Sequence, residues 1–370
     1  MLHLETGRNL SGGPRQVAYL LDGLAGKGVN NTLVCPPGSE IIRAVSAAVS
    51  VREVPLAGDV DLRFIGRFRR VLREEQPDIV HLHSRRGADY LGGVASRMEK
   101  RRIVLSRRVV SPEPKWVVPW KYRLFDRVVA ISDSVRDTLV RSGADPLKIV
   151  VVPSAVDSDH YRPNGDREWL TAEFGVAADA PLIGMVANYI PIKGHRILLQ
   201  ALPAVLERFP NLRVLCFGRG GGEAGVARQV VRAGLGDHVL MAGFRSDLDR
   251  VLGGLDVLVH PATREGLGVS LLQASSCEVP IVASRVGGIP EVVEDGVTGV
   301  LVPPENPEAL AAAITQLLKD PDCARQMGCR GRERIRAKFT VAQMVSGTMA
   351  VYNELLNTGR ARKMYAGTLP

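Results

Sequence analysis

The chain has 370 residues, of which 45% are hydrophobic and 24% are charged, as is typical of a soluble globular protein. Its length favours two domains, each large enough to bury a core. No apolar run reaches the roughly 18–20 residues of a membrane-spanning helix, and the first residues lack the features of a signal peptide. Five dispersed cysteines argue against a disulfide framework or a zinc site. We therefore expect a cytoplasmic protein.

The formal net charge of +9 is concentrated in one segment. Residues 62–127 contain 17 lysines and arginines against seven acidic residues. Isolated charges usually form a solvated face, but this clustering suggests an acidic partner, such as a phosphorylated saccharide or an anionic lipid. No motif or stacking aromatic pattern accompanies the charge, so we do not expect nucleic acid to be the partner.

Short apolar strands alternate with helices through the first half of the chain. A strand near residues 2–5 leads to a polar loop with Gly12 and Gly13. Pro14 suits the first position of a helix, and Arg15 to Lys27 shows helical apolar spacing. A glycine pair between a strand and a helix lets the backbone approach a phosphate, although glycine pairs are often simple turns.

A second candidate follows the apolar strand at residues 78–82. His81 should lie within this strand, whereas His83 falls where the strand ends. A histidine in that position is either packed against the domain or directed towards a ligand, and the residues alone leave both interpretations open.

Residues 107–125 place Trp116 and Trp120 among Lys115, Lys121 and Arg123. Aromatic residues beside cations are typical of segments that lie at a membrane interface. The alternative is a loop that folds over a ligand pocket or packs on the core.

The second half repeats the rhythm of strands and helices. A strand at residues 182–187 is followed by a loop with Asn188 and Lys193, and a strand at 212–217 by a glycine-rich loop with Arg219. Short apolar runs that alternate with helices predict parallel sheets, whose ligands bind at the carboxyl ends of the strands.

The most informative stretch runs from Asp256 to Pro304. It reads as a strand, a loop with Glu265, a helix from about Gly268 to Cys277, a second strand and the loop Val286-Gly-Gly-Ile-Pro-Glu291. Both loops enter helix N-termini, where free amides and the helix dipole favour a phosphate. Such a cradle, flanked by hydrogen-bonding side chains, suits a sugar nucleotide.

This stretch resembles the donor-binding signature of the group 1, or family 4, retaining glycosyltransferases. Glu265-Gly266-Leu267-Gly268 stands in place, and Gln273 stands where the family has a second glutamate. Lys193-Gly194 also fits, but Asn188 replaces an arginine that the family carries five residues before this lysine. The resemblance, which covers nearly the whole chain, implies an α/β GT-B fold with two Rossmann-like domains facing a central cleft and a C-terminal helix that crosses back to the first domain.

The resemblance also implies roles for individual residues. Glu265, His83 and Lys193 are the expected catalytic residues. Arg264 is either a second phosphate cation or a surface residue. The expected donor-binding residues are Gly12, Gly13, Asn188, Arg219, Arg264, Gly266, Leu267, Gly268, Val269 and Gln273. No metal or other cofactor is expected, because cations and helix amides would stabilise the leaving diphosphate.

These expectations combine into one functional prediction. Residues 1–160 would bind a saccharide or lipid-linked acceptor, residues 161–338 the nucleotide sugar, and residues 339–370 would form the crossing helix and tail. The predicted activity is a retaining glycosyl transfer in cell-envelope glycan assembly, with possible peripheral contact with an anionic membrane. The alternatives are a sugar-nucleotide epimerase of the same fold and a degenerate module that binds sugar nucleotides without turnover.

Overall fold

The computed structural model describes residues 1–83 and 87–366, with side chains up to residue 357. The chain divides into two compact units. The first contains Met1–Ala155 together with the chain from Val341 onward, and the second contains Val156–Thr340. The divisions lie after Ala155 and Thr340, within five residues of the predicted domain boundaries.

The first unit is built on a seven-stranded parallel sheet with the strand order β3-β2-β1-β4-β5-β6-β7. The strands are β1 (Leu2–Leu4), β2 (Asn31–Cys35), β3 (Val49–Glu53), β4 (Ile79–Leu82), β5 (Arg102–Arg107), β6 (Arg127–Ala130) and β7 (Ile149–Val151). Its first helices are α1 (Gly12–Ala25), α2 (Arg63–Glu75), α3 (Ala88–Met98), α4 (Val118–Tyr122) and α5 (Asp133–Arg141). The central strands are buried on both faces, which explains their near-continuous apolar sequence.

The second unit has a six-stranded parallel sheet with the order β10-β9-β8-β11-β12-β13. The strands are β8 (Leu182–Val186), β9 (Arg213–Phe217), β10 (Val239–Gly243), β11 (Val257–His260), β12 (Ile281–Ser284) and β13 (Gly299–Val302). Its helices are α6 (Arg167–Phe174), α7 (His195–Leu206), α8 (Glu223–Arg232), α9 (Leu248–Leu252), α10 (Val269–Ser276), α11 (Ile289–Val292), α12 (Pro307–Lys319) and α13 (Pro321–Lys338). The predicted two-domain α/β architecture is confirmed.

The last helix, α14 (Val341–Ala366), belongs to the first unit. Val345, Tyr352 and Leu355 on this helix share a buried apolar cluster with Leu20 and Leu24 of α1. The predicted return of the C-terminal helix to the first domain is therefore confirmed. None of the described helices is both long and apolar enough to span a bilayer.

Strand order reverses at one point in each sheet, between β1 and β4 in the first unit and between β8 and β11 in the second. In open α/β sheets a crevice for ligands forms at such a point, outside the carboxyl ends of the strands. The loops that follow these four strands are therefore the positions at which a site is expected. They include most of the candidate residues.

Candidate functional site

Glu265 lies at the centre of a hydrogen-bonded group in the second unit. Its Oε2 accepts hydrogen bonds from Lys193 Nζ at 2.5 Å and from His260 Nε2 at 2.9 Å. Its Oε1 accepts one from the Gly266 amide at 3.0 Å. Lys193 follows β8 and His260 ends β11, so the two strands that flank the reversal supply both partners. The structure thus brings together Glu265 and Lys193 as two of the predicted catalytic residues.

The electrostatics keep Glu265 ionised. Burial of the carboxyl would by itself raise its pKa, but the hydrogen bond from His260 and the positive charge of Lys193 outweigh that effect and lower the pKa to about 2. A carboxylate in this state accepts hydrogen bonds and does not donate them. Such a carboxylate can accept hydrogen bonds from the hydroxyl groups of a sugar.

The backbone of the Glu265 loop is held by the glycine pair that follows β12. A Cβ on Gly287, whose φ is +54°, would lie 1.8 Å from the Glu265 carbonyl oxygen, and one on Gly288 would lie 2.2 Å from that of Gly266. The Gly288 amide also donates to the Glu265 carbonyl at 3.2 Å. These two positions require glycine because the loop with the carboxylate packs directly upon them.

Helix α10 begins beside the carboxylate. Gly268 is its N-cap residue with φ +95°, a conformation that favours glycine. Val269 and Ser270 are the first helical residues, and amides at these positions have no carbonyl within the helix to which they can donate. Gln273 is buried one turn further on, and the Leu267 side chain is buried as well, so Leu267 offers a ligand only its backbone.

The remaining candidates of the second unit lie in nearby loops with different surroundings. Asn188 and Arg264 are exposed. The Arg219 guanidinium lies 3.5 Å from the centroid of the Phe244 ring, which is 49% exposed. Glycine is required beside Arg219 too, because a Cβ on Gly218 would lie 2.0 Å from the Ala187 carbonyl oxygen. Among the described residues, no hydrogen bond or ion pair joins Asn188 or Arg264 to Glu265.

In the first unit, Gly12 and Gly13 form the first turn of α1, so the helix begins two residues before Pro14, its predicted first position. The prediction that Gly12 and Gly13 lie in the preceding loop was therefore wrong. Ser11 is the N-cap residue and provides no side-chain hydrogen bond to the helix. A Cβ on Gly13 would lie 3.8 Å from Cδ of Arg108, so this arginine lies close to the glycine pair.

His83 is buried, with 4% exposure, and belongs to a cluster of three histidines. Its Nε2 is 3.0 Å from Nδ1 of His3, and its Nδ1 is 3.5 Å from Nη2 of Arg108. His81 lies within β4, as predicted, with hydrogen bonds to the Tyr352 hydroxyl at 2.5 Å and to Ser106 Oγ at 2.8 Å. Burial lowers the pKa of all three histidines, that of His3 to about 3.

One nitrogen atom from each of these histidines lies within 4.8 Å of the others, a spacing at which a metal ion could be held. However, both nitrogens of His81 already have partners, and the Arg108 guanidinium next to His83 would repel a cation. The residues fit a neutral hydrogen-bonded network better than a metal site.

The tryptophan segment is strongly exposed. Trp116 and Trp120 are 77% and 70% exposed, and the Arg123 guanidinium lies 4.7 Å from the Trp120 ring centroid. Lys121 differs from the prediction, because it is buried and forms ion pairs with Asp89 and with Glu113, the latter at 2.8 Å. The interpretation of Lys121 as one of the cations beside the tryptophans was wrong, since two buried carboxylates draw it inwards.

Sequence reasoning missed His260 and Arg108. Both stand at the carboxyl end of a parallel strand, the position that singled out His83, so the same argument applied to β11 and β5 would have found them. Phe244 was also missed, because the sequence gives no sign that an arginine 25 residues away stacks on its ring.

Comparison with known proteins adds two family matches. Residues 166–334 match the family model of "Glycosyl transferases group 1", and residues 10–160 match that of "Glycosyltransferase Family 4". Together these matches cover most of both units.

Two curated relatives illustrate the similarity. A GDP-mannose-dependent alpha-(1-6)-phosphatidylinositol monomannoside mannosyltransferase of Mycolicibacterium smegmatis is 30% identical over 284 residues, which cover 72% of this chain and 74% of the relative. A D-inositol 3-phosphate glycosyltransferase of Segniliparus rotundus is 34% identical over 254 residues, which cover 65% of this chain and 56% of the relative. The chain thus spans little more than half the length of several relatives.

Two solved structures share the fold. A glycosyltransferase from Rickettsia africae superposes with a TM-score of 0.85 at 21% identity, covering 96% of this chain and 98% of that one. Anabaena Alr3699/HepE in complex with UDP-glucose gives a TM-score of 0.85 at 20% identity, covering 95% and 99%.

Proposed function

Because the chain belongs to the group 1 glycosyltransferases, we propose that it transfers a sugar from a nucleotide-sugar donor to a saccharide or lipid-linked acceptor. The observation that carries this proposal is the ionised Glu265 at the carboxyl end of β11, held by Lys193 and His260 beside the N-terminus of α10. A negative hydrogen-bond acceptor, a cation and free helix amides are the groups that a sugar and its diphosphate require.

Each part of the donor has a natural partner in the second unit. The amides of Gly268 and Val269 and the ammonium of Lys193 would bind the diphosphate, since a helix N-terminus favours anions. Glu265 would accept hydrogen bonds from the sugar hydroxyls. Gln273 keeps the length and the acceptor oxygen of a glutamate, so it would contact the ribose more weakly than a carboxylate would.

We further propose that the reaction retains the configuration of the transferred sugar, as the family implies. The main electrostatic task is to stabilise the leaving diphosphate, and preorganised donors aimed at developing charge are an efficient means of doing so. Lys193 and the α10 amides would perform this task without a bound metal. The missing arginine at Asn188 reduces the positive charge available there, and Arg219 or Arg264 would have to supply the difference.

The acceptor would bind the first unit, whose residues 62–127 hold the excess of basic charge. Positively charged surfaces attract anionic groups, which favours a phosphorylated or lipid-linked acceptor. Arg108 lies close to Gly13 at the start of α1 and beside His83, and its guanidinium is a cation suited to such an acceptor. A role in cell-envelope glycan assembly on the cytoplasmic face of the membrane fits this chemistry.

The same unit would contact an anionic membrane through Trp116 and Trp120, with Lys115 and Arg123 beside them. Exposed tryptophans next to cations are suited to the boundary between lipid headgroups and acyl chains. Co-sedimentation with vesicles that contain phosphatidylglycerol tests the idea. The double variant Trp116→Ala/Trp120→Ala should lose most of the binding, whereas Val231→Ala, which removes a 75% exposed apolar side chain from the second unit, should not. Equal binding by all three proteins would remove the proposal.

A module that binds sugar nucleotides without turnover is a second candidate, favoured by the loss of charge at Asn188 and Gln273. A nucleotide-release assay with a panel of UDP-, GDP- and ADP-sugars, with and without membrane extract, separates the possibilities. Release that depends on the extract supports the transferase. Binding without release supports the module, and conversion of the donor without any acceptor supports an epimerase.

A further inference from the structure

His260 is a partner of Glu265 that contacts neither the sugar nor the diphosphate in the proposed function. It ends β11, is 1% exposed, and donates from Nε2 to Glu265 Oε2 at 2.9 Å. Its Nδ1 is buried and has no hydrogen-bond partner among residues 1–83 and 87–366. Since an ionised carboxylate only accepts, Nε2 must carry a proton, and the hydrogen bond to Glu265 fixes which way the imidazole faces.

Lys193 has two assigned partners, the Glu265 carboxylate and the donor diphosphate. Its ammonium lies 2.5 Å from Glu265 Oε2, and in the proposed function the same ammonium binds the donor diphosphate. A diphosphate carries more negative charge than a carboxylate and is a stronger competitor for one cation. Donor binding would therefore draw Lys193 away from Glu265 and leave the carboxylate with His260 and the Gly266 amide.

We propose that His260 is a positioning residue, which holds the Glu265 carboxylate ionised and directed at the donor sugar once Lys193 has turned to the diphosphate. This inference rests on the proposed function. In the described part of the chain, Glu265 accepts hydrogen bonds from Lys193 of the loop after β8, from His260 of β11 and from the amide of Gly266. Without His260, the bound state would leave a buried carboxylate with one amide donor, and burial favours its protonation.

Two substitutions of nearly equal length isolate the hydrogen bond. His260→Gln places an amide donor close to the position of Nε2, whereas His260→Met fills similar space without a donor. Nucleotide release should fall by about tenfold to a hundredfold in His260→Met, the range for one charge-assisted hydrogen bond. His260→Gln should stay within about threefold of the wild type, and both variants should bind UDP or GDP as the wild type does. The acid limb of the pH-rate profile should move towards neutral pH in His260→Met alone.

A third variant tests the competition for Lys193. Glu265→Gln releases the ammonium, so the nucleoside diphosphate that the wild type binds should bind about threefold to tenfold more tightly, although turnover is lost. Titration calorimetry with UDP, GDP and ADP measures this affinity, and thermal unfolding shows whether each variant is folded.

The possible failures are distinguishable. A wild type that neither binds a nucleoside diphosphate nor releases one from any donor contradicts the proposed function itself. If the wild type binds a nucleoside diphosphate and releases one from a donor, two results would overturn the role of His260 alone. The first is that His260→Met is as active as the wild type, and the second is that His260→Met and His260→Gln are equally impaired. Weaker diphosphate binding by Glu265→Gln would likewise overturn the exchange of Lys193.

Discussion

Substitution of Gly287 by alanine should disable the site without touching any residue that contacts a ligand. The new Cβ would lie 1.8 Å from the Glu265 carbonyl oxygen, and real Cβ contacts are not shorter than 3.0 Å. The Gly287 backbone and the Glu265 loop must therefore separate by at least 1.2 Å, the difference between these distances. Because a misplacement of ~1 Å can reduce a rate by roughly a hundredfold, we expect a loss of about that size in nucleotide release.

Gly296→Ala provides the matched control. Gly296 also has a positive φ, +72°, but nothing lies within 4 Å of its added Cβ. Both variants should lose about 1–2 kcal/mol of unfolding free energy from the left-handed backbone, measured by urea denaturation, and Gly287→Ala should lose more because its Cβ overlaps the Glu265 carbonyl. Only Gly287→Ala should also lose activity. Wild-type turnover in a Gly287→Ala protein that is as stable as Gly296→Ala would refute the view that this glycine supports Glu265.

Further predictions concern stability. Lys121→Met leaves the buried carboxylate of Asp89 without its cation, while Glu113 keeps only Arg107. It should lower the unfolding free energy by about 3–5 kcal/mol, and a change below 1 kcal/mol by urea denaturation would contradict the burial of the Lys121–Asp89 pair. Ser132→Ala removes the side-chain cap of α5 and should cost about 1 kcal/mol by the same measurement, whereas no change would mean that the cap is not formed in solution. The pKa of Glu265 is lowered from 4.5 to about 2 in the folded protein, so this carboxylate contributes stability above pH 4.5 that is lost as the pH falls towards 2. Over this interval the unfolding free energy of the wild type should fall by about 3 kcal/mol more than that of Glu265→Gln. Parallel pH curves for the two proteins would show that this carboxyl is not held as described.

The parts of the fold that depend on local pattern were predictable. Parallel sheets follow from short apolar strands that alternate with helices, and the motif around Glu265 places the carboxylate after β11 because strand, loop and helix are contiguous in the chain. The return of α14 to the first unit came from the resemblance, and its buried Val345 and Tyr352 fit the apolar spacing of that segment.

Contacts between distant segments were not predictable in the same way. The glycine pair at 287–288 reads as a loop in the sequence, but its packing against the Glu265 loop depends on the adjacency of β11 and β12 in the sheet. Lys121 reads as a surface cation because its partner Asp89 lies 32 residues away. The start of α1 was predicted too late, because glycines are weak helix formers and tertiary packing decided the position.

In the proposed function, the second unit binds a nucleotide sugar around Glu265 and Lys193. Hydrogen–deuterium exchange of the protein with and without a saturating nucleoside diphosphate tests it most directly, because the method locates the bound ligand along the chain. The structure predicts slower exchange at the amides of residues 193–196 and 266–271, and a loss of this effect in Lys193→Met. Protection confined to other segments, or the same protection in Lys193→Met, would contradict the proposed site.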